Sequence, residues 1–291
     1  MSLPSGVRVE ETPTGLPKYV VETKLCEGEL HLHGGTVTKF VPDHHEPVLW
    51  LSPTTALAPN KAIRGGVPIC FPWFGPATVA GAPQHGFART SPFTFEGARA
   101  VGDAIELTLG LRASDATRAL YPFDFTARLI VTFASALTVA FEVTAHEPLS
   151  FEVALHSYLH VGEVRRAELL HLERTPYVDK LRDNALVPAS GTPVVLDGPA
   201  DRVYRNAPDA VAVLDPELGR YLEVAKAGAA STIVWNPWEA KAKAMADVGD
   251  AWRSMLCVEA GNVLDNAISL GRGGTHRTLT KLSASALPRL R

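Results

Sequence analysis

The chain has 291 residues, 46% hydrophobic and 20% charged, with a formal net charge of −3; this excludes a disordered or fibrous polymer and allows one large domain or two ordinary ones. Its Lys, Arg, Asp and Glu are scattered rather than run together, so neither a nucleic-acid surface nor a membrane-seeking basic helix is expected. The opening MSLPSGVRVEETPTG lacks a signal-peptide core, no stretch approaches the ~20 apolar residues of a membrane helix, and the odd, sparse set of Cys26, Cys70 and Cys257 suits a reduced, cytoplasmic compartment.

In chain order, 23 Gly and 22 Pro break the sequence into short pieces. Period-two alternation, or enrichment in β-branched and aromatic residues, predicts strands at 18–26, 35–40, 48–52, 93–96, 105–111, 126–134, 137–145, 151–161, 211–214, 221–225, 232–235, 255–258 and 267–270. Helical signals are few: one turn over 114–120 with Ser114 as its cap, and 239–246, whose composition favours a helix but which has no apolar stripe. No repeat, linker or low-complexity stretch interrupts the pattern. The expected architecture is all-β: a single oversized domain over residues 1–291, an antiparallel sandwich or barrel with few short helices.

Two loops are built to hold side chains still. Residues 61–75 read KAIRGGVPICFPWFG and 83–91 read PQHGFARTS. Gly65 and Gly66 let the backbone turn beside Arg64, Pro68 and Pro72 stiffen the rest of that loop, and Gly86 allows a similar turn between His85 and Arg89. Guanidinium forks presented this way can clamp a phosphate, although two Arg in loops are also commonplace surface residues. Of the nearby aromatics, Phe71, Trp73, Phe74, Phe87, Trp235 and Trp238, most are expected in the core and some on a ligand's apolar face.

Two strands carry titratable residues. In FEVALHSYLHV (151–161) the odd positions are apolar except Ser157, which puts Glu152, His156, Tyr158 and His160 on the opposite face. In MLCVEAGN (255–262) Leu256, Val258 and Ala260 mark one face and Met255, Cys257 and Glu259 the other, with Ala-Gly-Asn read as a turn. A carboxylate in such apolar surroundings is costly unless paired or used, and burial raises its pKa toward the range of proton transfer. A His and a Glu sharing a cleft make a general acid/base pair. No G-x-S-x-G accompanies them, Cys70 lies in what reads as packed core, and no second carboxylate stands out for glycoside hydrolysis. Metal is not expected: His31, His33 and the later His44, His45 and Glu46 have the wrong spacing for a cupin-like site.

Six stretches in order, RGGVPICFPWFG (64–75), QHGFAR (84–89), ALHSYLHVG (154–162), DRVY (201–204), VWNPW (234–238) and CVEAGNV (257–263), resemble the glucose-6-phosphate 1-epimerase branch of the aldose 1-epimerase superfamily. They span about two-thirds of the chain, and their common order makes the resemblance specific. It implies a large antiparallel β-supersandwich of the galactose mutarotase-like kind. It also implies His156 and Glu259 as the catalytic pair, and Arg64, Gln84, Arg89 and Asp201 as substrate-binding residues with the two Arg near a phosphate. The chain departs from the pattern in HLERTPYVD (171–179), where a Gly-containing turn is expected before the Tyr.

The implied reaction is exchange between the anomers of a hexose 6-phosphate, without cofactor or metal, by a monomeric protein. An ionised Glu259 would take the proton of the C1 hydroxyl while a protonated His156 gives one to the ring oxygen; after rotation about C1–C2 the roles reverse. Two alternatives stay open: an aldose 1-epimerase acting on unphosphorylated sugar, and a carbohydrate-binding protein that has lost turnover.

Overall fold

The structure, a computed structural model, describes residues 3–77 and 79–287. The strongest alternation in the chain forms its longest ladder. Phe125–Phe133 and Leu137–Ala145 pair in antiparallel register from Phe125↔Ala145 to Phe133↔Leu137, with Phe125, Ala127, Leu129, Val131 and Phe133 all buried. Ala104–Arg112 and Thr94–Val101 continue this sheet on one side; Thr275–Ala286, Arg220–Ala227, Ala210–Asp215, Glu168–Leu170 and Val194–Val195 continue it on the other, nine strands in all.

An eight-stranded sheet packs across it. Its order is Ala185–Val187, Tyr177–Asp179, Ala200–Arg205, Ser231–Asn236, Met255–Asn262, Val153–Leu155 and Ile69–Cys70, with Tyr158–His160 also paired to Met255–Asn262. Leu155, Val234, Leu256 and Val258 from this sheet and Leu129, Val139, Val213 and Leu282 from the other share one apolar core. A four-stranded sheet, Val7–Glu11, Pro17–Glu22, Cys26–His31 and Val37–Pro42, closes one end. There Tyr19 stacks on Phe95 at 4.6 Å, and Gly28 leaves room for the ring of Phe133, which any Cβ would strike. The fold is all-β, with helices confined to Asp115–Arg118, Trp238–Lys243 and short 3-10 turns among the described residues.

Several expectations need correction. The single strand over 18–26 is a hairpin, because the chain turns between Glu22 and Cys26. Residues 48–52 make only isolated bridges. The strand over 151–161 is three pieces, Leu149–Phe151, Val153–Leu155 and Tyr158–His160. Ala260-Gly261-Asn262 is not a turn but the end of Met255–Asn262; Gly261 is there because a Cβ would press on the Val153 carbonyl at 2.9 Å. The twelve-residue strand Thr275–Ala286 escapes sequence reading because Thr278 and Thr280 fill inward positions where apolar residues would have signalled it. Ser114 does cap a short helix, accepting from the Thr117 N–H in a capping box.

Candidate active site

The eight-stranded sheet has a second face, turned from the core toward the loops. Met255–Asn262 is buried along its whole length; on this second face Met255 and Cys257 pack with Trp50, Tyr158 and Trp235. Glu259 comes next on that face by alternation. Leu155 pairs with Ala260 and Tyr158 with Cys257, registers that bracket two positions and set His156 opposite Glu259. On the other flank Ile233 pairs with Glu259, and Trp235 pairs with both Cys257 and Asp201. Cross-strand register, not sequence proximity, assembles the group.

The loops wall this face into a cavity of about 320 Å³, within the usual range of small-molecule sites. Gly65 and Gly66 have φ of +119° and +69°, and a Cβ at Gly66 would collide with the Val37 carbonyl oxygen, so the turn presenting Arg64 requires glycine. Arg64 donates from Nε to Asp247 at 2.9 Å and from Nη1 to the Tyr158 hydroxyl at 3.0 Å. In the second loop Arg89 donates to the Gln84 carbonyl at 2.8 Å, and His85 Nδ1 accepts at 3.2 Å from the Gly75 N–H of the first loop. Glu152 fastens this loop to the sheet by accepting from the N–H groups of Phe74 and Leu264.

All six residues proposed from sequence, Arg64, Gln84, Arg89, His156, Asp201 and Glu259, line the one cavity. The four-residue polar face over 151–161 does not hold. The Ser157 N–H turns back to the Leu155 carbonyl, and this break in the strand ends the alternation. His156 and Tyr158 face the cavity, Glu152 braces the loop, and His160 lies in a separate groove with Leu49 and Pro53. Sequence reading missed Lys180, Lys241 and Met245, which also line the site. No local pattern marks them: Lys180 comes directly after the short strand Tyr177–Asp179 and Lys241 sits on a helix without an apolar stripe. In the stretch that departs from the family pattern, around 169–177, His171 takes the left-handed conformation, φ +76°. His33 donates to the Lys61 carbonyl, and no cluster of metal-ligating side chains occurs among the described residues.

His156 Nε2 stands 3.4 Å from Glu259 Oε1, in reach for a proton but longer than an aligned hydrogen bond. Both carboxyl oxygens and His156 Nδ1 are buried without a partner. Desolvation, aided by Asp201, raises the Glu259 carboxyl well above its ordinary range, against Lys180 and Arg89. Desolvation also drives the His156 imidazole well down, helped by His85, Arg89 and Arg64. Both shifts favour the uncharged forms, carboxylic acid and neutral imidazole, over the ionised Glu and protonated His that the proton transfers call for. Burial likewise holds His85 down, to about 3. Burial works against Arg64's charge, but Tyr158 and Asp247 more than offset it. Such a site can both accept and donate a proton, beside a surplus of fixed positive charge.

A family model described as aldose 1-epimerase matches residues 17–283. A "putative glucose-6-phosphate 1-epimerase" from Cenchrus ciliaris is 36% identical over 287 residues, covering 94% of this chain and 86% of that relative. A protein of the same name from Salmonella typhimurium is 36% identical over 247 residues, covering 84% and 82%. Among solved structures, a "putative mutarotase" from Salmonella typhimurium superposes with a TM-score of 0.92 at 28% identity, covering 98% and 95% of the two chains. Galactose 1-epimerase from Lactobacillus acidophilus, at 14% identity and a TM-score of 0.76 over 99% of this chain and all of that one, shares the fold.

Proposed function

The chain belongs to the aldose 1-epimerase family and is an isomerase of the mutarotase kind, and from that premise we propose that it interconverts the α and β anomers of a hexose 6-phosphate, D-glucose 6-phosphate first among them. One observation carries the reading: the His156–Glu259 pair at 3.4 Å shares its cavity with four cationic side chains, Arg64, Arg89, Lys180 and Lys241, against two carboxyl groups, Glu259 and Asp201. A neutral sugar has no use for that surplus. A phosphate does.

The reaction starts with the proton on the carboxyl. Passing it to His156 across the 3.4 Å gap produces the ionised Glu259 and protonated His156 that the chemistry requires. Glu259 then takes the C1 hydroxyl proton as His156 protonates the ring oxygen and the C1–O5 bond breaks. Rotation about C1–C2 presents the other face of the aldehyde, and the reverse transfers close the ring and restore both groups. Protons balance, and no hydride or carbanion arises. Gln84 and Asp201 supply the polar contacts that orient the hydroxyls, and Trp235 and Phe74 the apolar walls. The site serves one domain, a reading supported by a core shared from Tyr19 to Leu282. Three free, buried cysteines support a cytoplasmic setting.

Anomer-exchange NMR on glucose 6-phosphate and on glucose tests the assignment. Faster exchange of the phosphorylated sugar is expected at equal enzyme and substrate concentration. Equal rates on both would return the substrate to a plain aldose; exchange of neither would leave a binding protein.

A further inference from the structure

We infer that Tyr158 is a positioning residue: its ring fixes the plane of the His156 imidazole, and its hydroxyl ties that plane to Arg64. The inference rests on the acid/base role proposed for His156.

A catalytic imidazole is commonly oriented by a hydrogen bond at the nitrogen that does not react, which also selects its tautomer. His156 has no such bond. Its Nδ1 is buried without a partner, while Nε2 faces Glu259. What holds the ring is aromatic contact. Tyr158 lies parallel to it, centroids 4.6 Å apart and planes 10° from coplanar. Trp235 meets the imidazole edge-on at 6.1 Å and 77°, and His85 at 5.9 Å and 75°. Of these three, only Tyr158 lies parallel to the imidazole, and a ring stacked on its face keeps the imidazole from rotating out of line with Glu259.

The local backbone is shaped for this stack. In a continuous strand, residues two apart are separated by about 6.6 Å along the chain, beyond ring contact. The turn of Ser157 N–H onto the Leu155 carbonyl breaks the strand between His156 and Tyr158 and brings their rings together. Tyr158 itself has little freedom. Its N–H donates to the Gly66 carbonyl and its own carbonyl accepts from Trp50, whose ring it parallels at 5.8 Å and 19°. Its hydroxyl accepts from Arg64, whose guanidinium is anchored again at Asp247. A chain of contacts thus runs from the cationic wall to the imidazole.

The two halves of the tyrosine separate by mutation. Tyr158→Phe keeps the face and loses the hydroxyl: kcat should stay within about 3-fold, with KM for glucose 6-phosphate raised about 5-fold as Arg64 loses one anchor, the size of effect of a single hydrogen bond. Tyr158→Leu loses both: kcat should fall about 10-fold further, the upper range for an aromatic pair, with KM close to that of the Phe variant. A readout independent of turnover is the ring-current shift of the His156 Cε1 proton in ¹³C-imidazole-labelled protein, assigned with His156→Ala. It should be upfield in wild type and the Phe variant and relaxed in the Leu variant. Tyr158→Met replaces Leu if that variant does not fold. Equal kcat in the Phe and Leu variants, or an imidazole shift that ignores the loss of the ring, would overturn the inference. Absence of hexose-phosphate exchange in the wild type, with the ring-current pattern intact, would instead sink the functional assignment and leave the stacking in place.

Discussion

Two buried pairs of ionisable side chains among the described residues are finished differently. Asp215 and Arg220 sit in the wall of the nine-stranded sheet, almost fully buried. Asp215 accepts from the N–H groups of Gly162 and Leu218, and Arg220 donates to the carbonyls of Glu46, Pro47 and His160, leaving its Nε, 3.6 Å from Asp215, unbonded. Those bonds sew two loops and a strand onto the sheet. His156 and Glu259, about as buried, have no comparable support: the carboxyl oxygens and Nδ1 are left without partners. A buried polar group that stays unbonded costs free energy. Where a fold tolerates that cost beside a cavity, the group has unspent capacity for a ligand. The bonded pair is architecture; the unbonded pair is chemistry.

The comparison breaks or holds first on activity. Glu259→Gln and His156→Ala should each slow anomer exchange by at least ~100-fold while circular dichroism reports an unchanged fold. Near-normal exchange in either variant would remove that residue from the mechanism. Arg220→Met should do the opposite. It leaves Asp215 buried and unpaired, and should cost about 3–5 kcal/mol of stability in denaturant titrations, with kcat of the folded fraction largely kept. A loss of kcat without a loss of stability would mean the two pairs had been assigned the wrong way round.

A smaller effect concerns the cationic wall. Arg89 has no carboxylate partner and a buried, unbonded Nε, so Arg89→Ala should raise KM for hexose 6-phosphate about 10- to 150-fold, with kcat changed much less. Steady-state rates on free glucose should barely move. A parallel loss on both sugars would make Arg89 a support of the pocket and not a reader of phosphate.

The smallest effect lies in the pH dependence of stability. The folded Glu259 carboxyl titrates well above its unfolded range. Between the two values the folded chain holds a proton that the unfolded chain has released, so this group's contribution falls as pH rises through that window. Glu259→Gln escapes the loss. Its Tm should match wild type near pH 4 and exceed it by at least about 2–4 °C at pH 8, the scale of one pKa unit in a protein of this size. His156 has the opposite sign: its folded pKa is depressed, so its contribution weakens as pH falls from about 6.5. A melting difference for the Gln variant that stays flat from pH 4 to 8 would mean that the carboxyl is already paired in the folded protein.

What the sequence determined by itself is local or periodic. Alternation fixed the β class and the ladder from Ala104 to Ala145 almost residue for residue, because side chains on a half-buried strand must obey period two. Ser114 declared its helix, His156 and Glu259 were legible from strands and Arg64 and Arg89 from glycine-stiffened loops, while Gln84 and Asp201 came from the family resemblance alone. Tertiary structure decided the rest, for reasons of register and desolvation. Only the pairing of Leu155 with Ala260 and of Tyr158 with Cys257 sets His156 against Glu259, more than a hundred residues away. Only the breaks at Glu152 and at Ser157 split the expected strand, leaving Glu152 to brace a loop, His160 in a separate groove and His156 stacked on Tyr158. Lys180 and Lys241 acquire meaning from the wall they share, which no spacing along the chain encodes. The upward shift of the Glu259 carboxyl depends on tertiary structure in the same way, because a pKa is set by the water and charge around a group once the chain has folded.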